Sequence, residues 1–192
     1  MLFLGNLYHR PNLDGLRWFL AQVAPRLAEG WTLHLCGLDA PLDEVELPAS
    51  AVKLVRHGFV DDVARAFADV RIAVAPVVSG GGVRMKNLEL AALEKAIVTT
   101  SRANEGIGFV HGRDAVVADD AAAMAAALRR LAADPAGAAR MGAQARRHVR
   151  ARFGHAAVLA RYGALLGEEM RDAVADPVEV EAAAIAASWG AG

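Results

Sequence analysis

The sequence predicts an α/β fold, with a doubly wound, mostly parallel six-stranded sheet, helices on both faces and a helical C-terminal segment. Three observations predict it. Short apolar runs alternate with helical patterns along the first 118 residues. Most of these runs are apolar throughout, as strands buried on both faces are, and strands separated by helices are joined by crossovers and run parallel. After residue 118 the pattern is helical only.

The first half of the chain supplies three strands and two helices. Residues 2–5 form an apolar strand, and residues 12–28 form an amphipathic helix because apolar residues recur every three or four positions. Those positions are Leu16, Phe19, Leu20, Val23 and Leu27. Residues 31–37 and 52–57 are the second and third strands. Residues 61–68 form a short helix that opens with two aspartates, which suit its positive end.

The second half supplies the remaining elements. Three further strands are predicted at residues 72–78, 96–100 and 115–118, with a helix over residues 84–94 between the first two of them. Residues 119–133 form an alanine-rich helix, and Asp134-Pro135 begins another with an acidic cap and a proline in its first turn. A last helix covers residues 155–174. We therefore divide the chain into an α/β domain over 1–154, a C-terminal helix over 155–175 and an alanine-rich tail over 176–192.

Composition excludes several functional classes. The formal net charge is −1, which argues against a nucleic-acid partner. The single cysteine, Cys36, lies in an apolar run and is predicted to be packed and inert, which fits a reducing compartment. No secretory signal is recognised, and no run approaches the roughly 18 apolar residues that cross a bilayer. A cytoplasmic protein is expected, with peripheral attachment to the inner face of the membrane left open.

The segment 75–89 carries the strongest chemical signal. Three glycines, Gly80, Gly81 and Gly82, separate a strand from a helix whose start bears Arg84 and Lys86. Glycines let the backbone approach a ligand, and a helix N-terminus directs N–H groups at an anion. The two cations oppose the helix dipole, which costs stability unless something negative binds. The pattern predicts a phosphate site; the alternative is a flexible loop followed by two solvated cations.

Glu89 lies on roughly the same helical face as Lys86, so it either forms an ion pair with Lys86 or accepts hydrogen bonds from ligand hydroxyls such as those of a ribose.

The sequence motifs of several other functional classes are absent. There is no G-x-x-x-x-G-K-[ST] phosphate loop, no G-x-G-x-x-G after the first strand and no G-x-S-x-G elbow. The six histidines show no metal-ligand spacing. Neither a metal nor a cofactor is predicted.

Residues 140–152 read as an amphipathic helix with a basic side. The arginines on that side are Arg140, Arg146, Arg147, Arg150 and Arg152. A solvated face is the simpler interpretation. Contact with an anionic lipid surface is the alternative that stays open.

Taken together, these segments resemble the C-terminal domain of the group 1 glycosyltransferases, which belong to the GT-B class of two facing Rossmann-like domains. The resemblance covers about residues 1–170. It is carried by residues 3–7 with 10–12, by 57–62, by 75–100 and by 100–107. The most specific part is residues 86–98, which begin Lys86-Asn87-Leu88-Glu89.

The resemblance implies a donor site for a nucleoside-diphosphate sugar. Glu89 matches the glutamate that binds the nucleotide ribose, and the loop of Gly80, Gly81 and Gly82 matches the one over the donor sugar and diphosphate. Phe59 and Val60 match the segment that borders the nucleotide base. Glu105 and Gly106 match a loop at the edge of the site.

Two departures from the family pattern affect the charges of this site. Many relatives carry a sugar-contacting glutamate where this chain has Gly81. The first loop has Asn6 and Pro11 where an arginine and a lysine are usual. Diphosphate charge would then be met by Arg84, Lys86 or Arg10, with Arg84 and Lys86 stabilising the leaving phosphate.

By the same resemblance, the reaction transfers a hexose to a glycan or lipid-linked acceptor without an essential metal. The acceptor would bind an N-terminal domain, supplied in cis or in trans, and this chain alone would be inactive. The alternative from another class is a degenerate nucleotide-fold module that acts in protein interaction. A nucleotide-sugar epimerase shares the two-domain architecture, but no residue singles it out.

Overall fold

The structure, a computed structural model, describes residues 1–38 and 52–166. Its strands are β1 (Leu2–Leu4), β2 (Thr32–Cys36), β3 (Lys53–Arg56), β4 (Ile72–Ala75), β5 (Ala96–Thr99) and β6 (Val116–Val117). They form one sheet in the order β3-β2-β1-β4-β5-β6, and every neighbouring pair is parallel. The predicted fold class is confirmed, with a sheet that is wholly rather than mostly parallel.

Seven α-helices lie in the described residues. They are α1 (Arg10–Trp18), α2 (Val63–Ala66), α3 (Met85–Ala92), α4 (Ser101–Asn104), α5 (Ala121–Ala133), α6 (Pro135–Phe153) and α7 (His155–Leu166). The sequence analysis missed α4, because four residues are too few to show a helical period. It begins where the Thr100 side chain accepts a hydrogen bond from the Ala103 N–H.

The first predicted helix, over residues 12–28, was wrong in its bounds. Helix α1 begins two residues earlier, and it continues as a π-helical turn over Phe19–Val23 and a 3₁₀ turn over Ala24–Arg26. Pro25 has no N–H to donate to the carbonyl four residues back, so the regular α ladder cannot run through it. The predicted apolar positions on this segment are nevertheless all buried.

Both faces of the sheet are covered, because successive strand residues point to opposite sides. On one side Phe3, Leu35 and Val74 belong to a core that includes residues of α1 and α5. On the other side α3 packs on β4 and β5 through residues such as Leu90. Buried parallel strands with helices on both faces leave the strand ends as the accessible edges of the sheet.

Residue contacts divide the chain after Val149 into two units. The first contains the whole sheet, and the described part of the second contains the end of α6 and α7. The boundary after 154 and the separate C-terminal helix over 155–175 stay predictions. The end of that helix and the tail over 176–192 lie outside the described residues. Within the described part of the chain, no helix is both long and apolar enough to cross a membrane.

A buried carboxylate organises the loop between α4 and β6. Asp114 is 1% exposed; it accepts hydrogen bonds from the Val110 N–H and, at both oxygens, from the Arg113 guanidinium. Its Oδ2 also lies 3.1 Å from Nδ1 of His148 on α6. Burial by itself raises the pKa of Asp114, but the bonds from Arg113 and Val110 and the charge of Arg113 outweigh it and leave that pKa below its ordinary value of 3.8.

We expect Asp114→Asn to lower the free energy of unfolding at neutral pH and to cost progressively less as the pH falls. A carboxylate whose pKa is depressed in the folded state stabilises the protein above its unfolded-state pKa, and that contribution is lost as the pH falls through the folded-state pKa. Urea denaturation at pH 7, 5 and 3.5 measures this. Glu29→Gln, at an exposed position, is the control; an Asp114→Asn cost that does not change with pH would contradict the assignment.

Candidate functional site

The sheet order reverses between β1 and β4. From β1 the chain proceeds through α1 to β2 on one side, and from β4 through α3 to β5 on the other. Diverging connections open a crevice at the carboxyl ends of the two central strands, which is where ligands bind in open α/β sheets. The predicted phosphate loop follows β4 and therefore lies at this crevice.

A cleft of about 300 Å³ occupies the crevice. Its lining comes from the exit of β1, the first turn of α1 and the start of α3, and comprises Leu4, Gly5, Asn6, His9, Asn12, Val83, Arg84, Met85, Lys86 and Glu89. Four predicted site residues, Asn6, Arg84, Lys86 and Glu89, are thus brought together around one concave space.

The ammonium group of Lys86 lies in the interior of this cleft. Its Nζ donates to Oδ1 of Asn12 at 2.6 Å and lies 4.9 Å from the ring centroid of Phe3 in β1. Asn12 is held in turn by donating from Nδ2 to the Asn6 carbonyl at 2.8 Å. Burial, assisted by the nearby positive charge of Arg84, lowers the pKa of Lys86 to about 8. The positive charge of Lys86 is therefore poorly compensated, and a bound anion would stabilise it.

Arg84 is 9% exposed, although it is the residue that precedes α3. Its Nη2 donates to the Ser79 carbonyl at 3.2 Å, whereas its Nε is buried and has no hydrogen-bond partner among the described residues. A buried donor without an acceptor costs stability, more so when it is charged. Neither cation matches the alternative of solvated side chains after a flexible loop. A hydrogen-bond acceptor on a ligand in the cleft would satisfy the unpaired Nε–H of Arg84.

The glycine loop, Gly80–Gly82, packs closely against the Arg84 side chain and against helix α1. Gly80 and Gly82 have φ angles of 78° and 88°, which glycine adopts without strain. A Cβ at Gly80 would lie 3.0 Å from Pro11 and 3.2 Å from Nη2 of Arg84. At Gly81 a Cβ would meet nothing within 4 Å among the described atoms, so the loop is open to solvent there.

Glu89 is exposed and lies one helical turn after Lys86. Among the ion pairs of the described residues none joins Glu89 to Lys86, whose ammonium group turns instead to Asn12. The alternative of an intrahelical ion pair is therefore not what the structure contains. The Glu89 carboxylate lines the cleft and is available to a ligand.

The loop after β5 abuts the glycine loop. A Cβ at Gly106 would lie 2.7 Å from Val83 Cγ2, and Nη1 of Arg102 donates to the Gly80 carbonyl at 3.3 Å. Glu105 and Gly106 are exposed and neighbour the wall of the cleft without lining it. They sit at the edge of the candidate site.

The remaining predicted site residues lie away from the lining. Arg10 is exposed, and its Nε pairs with Oδ1 of Asp14 at 2.9 Å, so it does not point its charge into the cleft. Phe59 is 70% exposed and Val60 is half-buried; both follow β3, beyond Gly58, whose carbonyl accepts from the Gly37 N–H. They belong to the same edge of the sheet as the cleft but not to its wall.

Sequence analysis did not assign Asn12 to the site, although this residue positions Lys86. A signal existed: Asn12 lies in the first turn of the helix after β1, and parallel strands bring that turn to the edge where β4 also ends. The 74 residues that separate Asn12 from Lys86 concealed the contact.

Another cavity, of about 620 Å³, lies where the loop before β6 meets the end of α5 and the start of α6. It is lined by Arg113, Arg130 and Arg140, but Arg113 is already paired with Asp114 and Arg140 lies 3.6 Å from Asp134. The charges that line the cleft between β1 and β4 are less well compensated, so this cleft is the better candidate for the functional site. Among the described residues no group of three or more histidine, cysteine or acidic side chains is arranged to hold a metal.

Comparison with known proteins gives a consistent result. A protein of Klebsiella pneumoniae, described as an uncharacterized 44.6 kDa protein in the cps region, is 29% identical over 130 residues, which are 62% of this chain and 34% of that protein. The structure of HepE from Anabaena in complex with UDP matches with a TM-score of 0.66 at 16% identity, over 86% of this chain and 47% of HepE. Both relatives are thus more than twice the length of the part that the chain matches.

A third similarity concerns a single domain. The C-terminal domain of LpcC, a glycosyl transferase group 1 family protein from Francisella tularensis, matches with a TM-score of 0.56 at 13% identity, over 80% of this chain and 86% of that domain. The family model for group 1 glycosyl transferases matches residues 1–134. The predicted family is confirmed: this chain belongs to the group 1 glycosyl transferases.

Proposed function

We propose that this chain is the donor-binding half of a glycosyltransferase, and that the β1–β4 cleft binds the diphosphate of a nucleoside-diphosphate sugar. The observation that carries the proposal is the convergence of two cations, the buried Arg84 and the partly buried Lys86, around one cleft at the end of the central strands. Family membership supports the same class of substrate, because the related HepE structure was solved with UDP.

In the proposed complex the diphosphate contacts the Lys86 ammonium and the Arg84 guanidinium, which has an unused Nε–H. Backbone N–H groups of the glycine loop and the start of α3 add further donors, since the N-terminus of a helix favours anions. Glu89 accepts hydrogen bonds from the ribose. As the glycosidic bond breaks, the same two cations stabilise the charge that develops on the leaving phosphate. No metal is needed for this step.

The outer parts of the donor are assigned by position on the same edge. Gly81, with open space around it, leaves room for the sugar above the loop, and Glu105 with Gly106 borders that space. Phe59 and Val60 lie towards the base. Arg10 is left out of the site because Asp14 already engages it.

A second, acceptor-binding domain would cover the cleft. Large exposed apolar side chains concentrate in the loops at the carboxyl ends of the strands: Tyr8, Leu38, Phe59, Val78, Val83 and Met85. A rim of this kind is typical of a surface that contacts another domain. The chain spans about a third to a half of the relatives it matches, so transfer of a hexose to a glycan or lipid-linked acceptor is proposed for the whole enzyme only.

The basic side of α6 does not enter this proposal. Arg146 pairs with Glu94 at 2.9 Å and Arg140 lies 3.6 Å from Asp134, so part of the predicted positive face is neutralised. The alternative function, a degenerate module for protein interaction, is favoured by no observation on the described residues, because the cationic cleft is concave and its charges are incompletely paired.

Isothermal titration calorimetry with UDP, GDP and ADP tests the proposal. We expect one of the three to bind at micromolar to submillimolar concentration, and the corresponding nucleoside without phosphate to bind at least about tenfold more weakly, because the two cations act on the diphosphate. If no nucleoside diphosphate binds at millimolar concentration, the donor-site proposal is wrong. Equal binding of nucleotide and nucleoside would contradict the role of Arg84 and Lys86.

The binding should depend on pH through Lys86. Because its pKa is about 8, the Lys86 side chain of the ligand-free protein is increasingly neutral above that pH. A bound diphosphate favours the charged ammonium. We therefore expect the affinity for UDP to fall between pH 7.5 and 9, approaching about tenfold per unit, with proton uptake on binding. Calorimetry in buffers of different ionisation enthalpy measures that uptake. Lys86→Arg should remove the pH dependence; its persistence would assign it to another group.

A further inference from the structure

Two histidines from neighbouring strands meet on the sheet away from the cleft. His34 lies within β2, and His57 directly follows β3. Leu35 pairs with Arg56 across the two strands, so His34 and His57, one step to either side of that pair, point to the same face. The backbone N–H of His57 continues the hydrogen bonding between the two strands by donating to the Leu35 carbonyl at 2.9 Å. The backbone of both residues is therefore fixed.

Their rings converge through specific atoms. Nδ1 of His34 and Nε2 of His57 are 2.9 Å apart, a distance at which one nitrogen donates and the other accepts. When the donor ring carries its hydrogen on its other nitrogen instead, as the second neutral tautomer does, both facing nitrogens present lone pairs, and a small rotation of the rings lets them share one ion. We propose that this pair chelates a divalent transition-metal ion of the copper or nickel type, a metal site separate from the nucleotide cleft.

The distance between the nitrogens selects the kind of ion. Metal–imidazole bonds are about 2.0–2.1 Å long, so nitrogens at a right angle about the metal are about 2.8–3.0 Å apart, whereas a tetrahedral angle separates them by about 3.3–3.4 Å. The 2.9 Å of the ion-free pair is the length of its hydrogen bond. It also equals the spacing of two adjacent positions in a square-planar or tetragonal site, which Cu²⁺ and Ni²⁺ favour, so such an ion would require little change in the distance between the rings. Tetrahedral Zn²⁺ requires the rings to move apart by several tenths of an ångström.

The surroundings hold the rings in place and keep them accessible. Phe67 meets both edge-on, at centroid distances of 5.9 Å to His34 and 4.9 Å to His57. The side chains are partly exposed, so water can fill the remaining coordination positions.

Neither histidine lines the cleft, and no third histidine, cysteine or acidic ligand in residues 1–38 and 52–166 completes a cluster with them. A site with two protein ligands and water is expected to bind in the micromolar range. It could not be predicted from the sequence, because a separation of 23 positions between His34 and His57 matches no ligand spacing.

The test is calorimetric titration of the tag-free chain with CuCl₂, NiCl₂ and ZnCl₂ at pH 7.5 in a non-chelating buffer. We expect one Cu²⁺ per chain, bound more tightly than Ni²⁺ and Zn²⁺. His34→Gln and His57→Gln should each weaken Cu²⁺ binding by about tenfold or more. His155→Gln, on an exposed helical position, should stay within about twofold of the unmodified chain. Circular dichroism of the metal-free variants establishes that they fold.

A second measurement does not depend on variants. The electron paramagnetic resonance spectrum of the Cu²⁺-loaded chain should be that of a tetragonal site with two equatorial imidazole nitrogens. No Cu²⁺ binding below millimolar concentration would overturn the proposal. A Cu²⁺ affinity in both glutamine variants equal to that of the unmodified chain, or a spectrum with one imidazole nitrogen only, would overturn it as well.

Discussion

The double substitution Arg84→Met and Lys86→Met is expected to weaken UDP binding by at least about 100-fold while leaving the fold intact. Hydrogen bonds to charged groups contribute about 1.5–3 kcal/mol each, so loss of both cations removes about 3–6 kcal/mol of binding free energy. Methionine keeps a long apolar side chain at both positions while removing the charged groups that contact the Phe3 ring and the Ser79 carbonyl. Removing one buried and one partly buried charge, both poorly compensated, should not lower the stability of the empty protein.

Calorimetry with UDP measures the loss, and thermal unfolding without ligand measures the stability. Arg130→Met is the matched control, because Arg130 lines the other arginine-bearing cavity and should leave UDP binding unchanged. The opposite pattern, with Arg130→Met abolishing binding and the double variant retaining it, would move the nucleotide site to the α5–α6 cavity.

Gly15→Ala is expected to lower the melting temperature markedly, although alanine is the better helix former. Gly15 lies inside α1, where the substitution would ordinarily stabilise by about 1 kcal/mol. Here a Cβ would lie 2.1 Å from the carbonyl oxygen of Pro76, directly after β4. Helix and strand exit must then separate, at a cost of about 3 kcal/mol, or about 2 kcal/mol after the gain in helix propensity, and the melting temperature should fall by roughly 4–8 °C.

The same displacement should weaken nucleotide binding, because α1 carries Asn12, the partner of Lys86. Differential scanning fluorimetry and UDP titration of one variant report both effects. Gly81→Ala is the control for stability: its Cβ has open space and its backbone has no positive φ. An unchanged or higher melting temperature for Gly15→Ala would show that α1 and the β4 exit are not in close contact.

Much of the fold could be predicted from the sequence because its strongest signals are local. Most strands are apolar runs, and α5 and α6 begin after Asp120 and Asp134, whose side chains accept from N–H groups three residues on. Short elements and departures from the α ladder are weaker signals. For that reason α4 was missed, and the division of residues 12–28 into three helical types at Pro25 was not foreseen.

The candidate site was predicted mainly in the part that is contiguous in sequence, with Asn6 as the one predicted lining residue from another segment. Residues 80–89 combine glycines, two cations and a carboxylate within ten positions, and Arg84, Lys86 and Glu89 do share one cleft. The burial of Lys86 was not predictable, because it depends on Asn12 and Phe3, which strand order alone brings near. Arg10 was one of three cations predicted to meet the diphosphate, and in the structure its exposed side chain pairs with Asp14 outside the lining of the cleft, so its role stays a prediction.

The most direct test is amide chemical-shift mapping of the isotopically labelled chain during titration with UDP. The largest shifts should fall on Gly5, Asn6 and the segment from Gly80 to Lys86, which surround the crevice between β1 and β4. Shifts confined to residues 111–113 and the α5–α6 junction, or no shifts at millimolar UDP, would contradict a diphosphate site built on Arg84 and Lys86.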